Sequence, residues 1–196
     1  MNQQWTHRIS SPAGRAAVTL TALLALGTGA SRAANIYWDS DTNGANNNIS
    51  TGAGLGAAGN WNNLASGTPL VNWWPGSGTT DQTWVNGTDT AIFWGTAGTV
   101  KLTDTITVGG LRFDTTGYTI SATGYALTFG AGSDTIALNN IAAATVTGAV
   151  GGTGAVTITN MGTTAGTLTL NGTSTAGWSG ATTISNVATL ALSGSN

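Results

Sequence analysis

Seven aspartates carry the acid, base and metal-binding chemistry available after residue 33: Asp39, Asp41, Asp81, Asp89, Asp104, Asp114 and Asp134. The stretch Asp39-Ser-Asp-Thr-Asn-Gly44 spaces two of them as D-x-D-x-N-G. That is the first half of a calcium loop, in which alternate oxygens ligate and the glycine permits a sharp turn. Asp39, Asp41 and Asn43 would be the ligands. The closing position, 11 residues after Asp39, should hold a bidentate Glu and holds Ser50 instead. Calcium binding there is expected to be weak, and a solvated Asn/Asp/Gly turn is the competing reading. A polysaccharide-cleaving enzyme would need two carboxyls facing each other across a groove. Asp104 and Asp114, with Lys101 and Arg112 nearby, are the pair to inspect for that role, and turn capping is the bland alternative. His7 is the only histidine and there is no cysteine. Activation of a serine or threonine would therefore fall to Lys101 alone. No catalytic residue is assigned, and the expectation is a protein that is not an enzyme.

The tryptophans are the second chemical resource. Trp38, Trp61, Trp73, Trp74, Trp84 and Trp94 all lie between residues 34 and 98. The Trp73-Trp74-Pro75 step could offer a stacking platform to a carbohydrate, since exposed aromatics mark binding sites. Alternatively the rings form the core of a small cap, because large aromatics supply most of the buried area in such a unit.

Charge excludes other classes. After residue 33 the only cations are Lys101 and Arg112. Nucleic acid is excluded as a partner, because neutralising phosphates takes a basic patch. No charged residue occurs from 135 to 196. Residues 1–33 hold Arg8 and Arg15, an apolar run over 16–26, and small residues over 27–33 with Ser31 and Ala33 at −3 and −1. This is the pattern of a secretory signal peptide cut before Ala34, with an apolar run too short to span a bilayer.

Between residues 99 and 196 apolar residues recur two apart, with threonine as the usual alternate. The pairs are Val100/Leu102, Ile106/Val108, Leu111/Phe113, Leu127/Phe129, Ile136/Leu138, Val156/Ile158, Leu168/Leu170 and Leu190/Leu192. Period-two alternation broken by Gly, Asn and Asp is the half-buried strand signal. The last two pairs repeat at a spacing of 22 residues. That period suits one turn of a β-helix, in which each rung stacks on the one before. A β-sandwich is the alternative.

The stretch from Leu168 to Ile184, followed by Ala188-Thr-Leu-Ala-Leu192, resembles the autotransporter-associated β-strand repeat, also called the passenger-associated transport repeat. Its pattern is L-x-L-x-G-x-N-T-Y-T-G-x-T-x-I followed by G-x-L-x-L. Leu168, Leu170, Gly172, Thr175, Gly180, Thr183, Ile184, Leu190 and Leu192 fit it. Ser174, Ala176-Gly177-Trp178 and Ala188 depart from it. Upstream, Tyr37-Trp38-Asp39, Asn60-Trp61-Asn62, Asp89-Thr-Ala-Ile-Phe93, Ile106-Thr-Val-Gly-Gly-Leu-Arg-Phe113 and Thr116-Gly-Tyr-Thr-Ile120 are similar to ordered steps in the leader region of the same proteins.

The resemblance implies an all-β fold, a right-handed parallel β-helix (solenoid) on the surface of a bacterium, with no catalytic residues. The expected organisation is a signal peptide over 1–33, an irregular Trp-rich N-terminal cap over 34–98, and β-helix rungs over 99–196. About four rungs fit that length. Such proteins run longer and end in an outer-membrane barrel or sorting tail, so the chain is expected to be a C-terminally truncated portion. The function expected is an exported, surface-displayed structural passenger segment with an adhesive surface, assisting its own export by folding outside. Its partners would be the export machinery, the outer membrane and cell-surface or extracellular glycans. A carbohydrate-binding module on Trp73 and Trp74 is the alternative, and calcium is the one cofactor considered.

Overall fold

A computed structural model describes residues 33–63, 67–141, 143–172 and 177–194. Apart from Ala33 the expected signal peptide lies outside these residues, as do Ser174, Thr175 and Ala176 of the repeat-like stretch. Among the described residues there are fourteen strands and no helix.

The strands build two sheets that alternate along the chain. One contains β1 (Asn35–Trp38), β4 (Thr90–Phe93), β7 (Gly110–Phe113), β9 (Ser133–Leu138), β11 (Ala155–Asn160) and β13 (Thr182–Ser185), stacked in that order. The other stacks β2 (Gly59–Trp61), β5 (Thr99–Leu102), β8 (Thr119–Phe129), β10 (Ala143–Gly152), β12 (Gly166–Asn171) and β14 (Ala188–Ser193). Short β6 (Ile106–Val108) lies beside the second half of β8. All these pairings are parallel; only β3 (Trp73–Trp74), on the outer side of β1, runs antiparallel. The chain is therefore a β-solenoid, and the sandwich alternative fails because its hairpins would make antiparallel pairs.

Register explains why these sequences stack. Leu111, Ile136, Ile158 and Ile184 stand above one another on the first sheet. Val100, Ile120, Val146, Leu170 and Leu192 do the same on the second. The 22-residue echo is thus a true rung repeat, with Leu168 opposite Leu190 and Leu170 opposite Leu192. Between the sheets Val100, Ile120, Val146 and Ile158 are at most 1% exposed. The alternate positions face out as threonine columns, Thr99–Thr119–Thr145–Thr169 and Thr135–Thr157–Thr183. A β-branched residue suits such a position because it packs along the pleat while its hydroxyl meets water. At about 4.8 Å per layer, the four turns from β7 to β14 rise roughly 20 Å.

The stack reaches upstream of residue 98. β1, β2 and β4 add two further layers, joined to the rest by parallel pairing. Around them the tryptophan rings fill the end of the core. Trp73 packs on Trp38, Trp61, Trp84 and Phe93, with ring centroids 4.7–6.0 Å apart. Phe93 then stacks on Phe113 at 5.2 Å, passing the aromatic packing to the next layer. A second small cluster, Tyr37, Leu55, Trp74 and Ile92, covers the other face of the first sheet. At the far end the inward residues are less covered: Ile184 is 49% and Leu192 74% exposed.

Candidate functional site

The D-x-D-x-N-G stretch leaves the end of β1 and folds by its own side chains. Asp39 Oδ1 accepts from the Asp41 N–H (3.1 Å), and Asp41 Oδ1 from the Asn43 N–H (2.9 Å). These are two successive Asx turns. Asn47 Nδ2 donates to Asp39 Oδ2 (2.6 Å) and Asn46 Nδ2 to Asp41 Oδ2 (2.8 Å). The Ser50 N–H donates to Asn48 Oδ1. Asn43 enters this network through its backbone.

The structure also brings Asp81 to Asp39. Burial, and then the Asp39 carboxylate itself, push the Asp81 carboxyl up to about 7. Both Asp81 oxygens are buried with no hydrogen-bond donor. Burial raises Asp39 as well. For Asp41 burial is the largest single effect and raises the pKa, but the bonds from Asn46 and Asn43 together outweigh it and its pKa falls. Among the described residues no group of three Asp or His side chains is arranged to hold a metal ion. The Asp39–Asp81 pair was not visible in the sequence, because the two lie 42 positions apart with no local motif around Asp81.

The other carboxylates serve the framework. Arg112 donates to both oxygens of Asp114 at 2.7 Å. Asp104, 5% exposed, accepts from the Asn63 N–H, and Asp89 accepts from the Ala34 N–H. Burial raises the Asp134 carboxyl.

Trp73 and Trp74 are 1% and 5% exposed. Both ring systems are engaged in packing, so neither presents a face to a sugar. Trp74 Nε1 donates to the Gly78 carbonyl.

A surface feature missed by the sequence reading lies on β8. Ala122 pairs with Gly148 and Ala126 with Ala149, so Thr123, Gly124 and Tyr125 bulge from the ladder. Gly124 takes φ +85°, which a glycine adopts without strain. The first half of β8 lies on β5 and the second on β6, and the bulge falls opposite the bend between those two strands. Beside it runs an open groove of about 650 Å³, lined in part by Thr105, Thr123, Tyr125, Thr147 and Asn171. The signal existed in the sequence as a change of parity. The inward residues of β8 switch from even positions, Ile120 and Ala122, to odd ones, Leu127 and Phe129.

The chain is 36% identical over 166 residues to the adhesin BmaC autotransporter of Brucella suis biovar 1 (strain 1330). The match takes in 79% of this chain, which spans 4% of that protein's length. The chain is thus similar to one short stretch of an autotransporter adhesin. No family model and no solved structure matches the chain.

Proposed function

We propose that this chain is a segment of an autotransporter passenger: exported, displayed on the bacterial surface, and working there as a rigid β-solenoid that presents an adhesive face. The observation that carries the reading is the parallel stack combined with 36% identity to an autotransporter adhesin over most of the chain. The role is structural and non-enzymatic. Asp114 is bound to Arg112 and Asp104 is almost wholly buried, which supports framework roles for the two carboxylates that a hydrolase would have needed free.

Folding outside also supplies a drive for export. Each strand that joins the stack buries apolar side chains and satisfies a row of backbone groups, so backward sliding through a pore becomes costly. Leu168, 0% exposed in the core, tests this step. Leu168→Asp places a charge where nothing can solvate it. Surface display of the passenger carrying this change, read by antibody binding to intact cells, is expected to fall several-fold while total synthesis is unchanged. Undiminished display of Leu168→Asp would remove folding as the driving step. Adhesion of cells displaying the unaltered passenger, set against cells lacking it, tests the adhesive role.

A further inference from the structure

We propose that the groove beside the β8 bulge binds an uncharged glycan, with Tyr125 as the ring on which a sugar stacks. The inference rests on the adhesive reading and names the class of partner for it.

Thr123, Gly124 and Tyr125 give up ladder pairing with β10, which resumes at Ala126. Bulges of this kind re-aim a side chain at a surface. The side chain re-aimed here is an aromatic one. Tyr125 is 41% exposed, while Tyr37 and Tyr118 are 7% and 1% exposed. Rings in the core meet other rings; among the ring contacts of the described residues, none involves Tyr125.

The rest of the groove fits the same ligand. Its floor is bare backbone, because the layers approach closely at that corner. A Cβ on Gly148 would stand 2.6 Å from the Ala122 carbonyl carbon, and one on Gly172 would overlap the Gly148 carbonyl oxygen. Its walls carry hydroxyls from Thr105, Thr123 and Thr147 and the amide of Asn171. These groups both donate and accept, as a polyhydroxylated ligand requires. None of the described lining residues is charged. A phosphorylated, sulfated or sialylated ligand would find no cation there, whereas a neutral pyranose has an apolar C–H face for Tyr125 and hydroxyls for the walls.

The test is binding of the full chain to a panel of neutral and acidic oligosaccharides, followed by calorimetry on the neutral binders. Tyr125→Ala is expected to weaken binding about ten-fold and Tyr125→Phe to retain it, since the stacked face and not the hydroxyl holds the sugar. Asn171→Ala should weaken it by a smaller factor. Tyr125 is exposed, so circular dichroism of the variants should match the parent. Binding confined to acidic glycans, no binding across the panel, or binding indifferent to Tyr125→Ala would each overturn the proposal. Cells displaying Tyr125→Ala separate this inference from the adhesive reading. Adhesion kept by that variant defeats the groove alone, while absence of adhesion by the displayed parent defeats the adhesive role.

Discussion

At the scale of single residues, the molecule places charge sparingly and mostly ties it down. The clearest exception is Asp81, whose two oxygens meet no donor and whose neighbour is the carboxyl of Asp39. Two adjoining carboxyls share a proton more easily than they hold two charges. The sign of the consequence follows. Well below pH 3.8 Asp81 is protonated whether the chain is folded or not, and nothing is lost. As pH rises the unfolded chain ionises at the ordinary value of 3.8 while the native one keeps its proton to about 7. Stability therefore falls with rising pH across that window and levels off above it. Thermal unfolding in EDTA between pH 5 and pH 8 should show the fall in the parent. Asp81→Asn should flatten the profile and raise the melting temperature at pH 8. A parent profile identical to that of Asp81→Asn would show that the carboxyl carries no such penalty.

At the scale of elements, the corners of the stack are as constrained as its strands. Gly172 sits where the layers of β10 and β12 nearly touch, and a Cβ there would overlap the backbone of Gly148. Gly172→Ala is expected to destabilise the fold by about 1–3 kcal/mol, the usual cost of forcing extra atoms into closed packing, measured as a lowered denaturant midpoint. All eight apolar pairs marked from the sequence lie in strands: β5, β6, β7, β8, β9, β11, β12 and β14. They were legible because inward and outward residues differ in polarity. β10 was harder, since its inward side carries Ala144 as well as Val146 and Val150, and its sequence offers little contrast. β1 was harder still. Its parallel partner, β4, lies 55 positions away, and no periodicity survives that gap. The same distance problem hid Asp81, while Tyr125 was signalled by the parity change and passed over.

At the scale of the whole molecule, the first and last described layers differ in how their cores are covered. Around β1 and β2 the core ends in Trp38, Trp61, Trp73 and Trp84, each at most 1% exposed, and β3 lies along the free side of β1. Trp61 Nε1 is buried there without an acceptor, a local cost outweighed by the apolar area those rings remove from water. Around β13 and β14 the inward side chains face solvent on one side, and Leu190 and Leu170 are only partly buried. In a stack where each layer contacts only its neighbours, stability is a sum over layers and interfaces, so a layer with one neighbour opens most easily. Hydrogen exchange of this 196-residue chain by itself, read by mass spectrometry, should therefore rank the layers. Amides of β13 and β14 should exchange first, β11 and β12 next, and β7 to β10 only near the rate of global unfolding. Simultaneous exchange from β1 to β14 would mean that the solenoid opens as a single unit, and the layer-by-layer account of both its stability and its folding-driven export would fall with it.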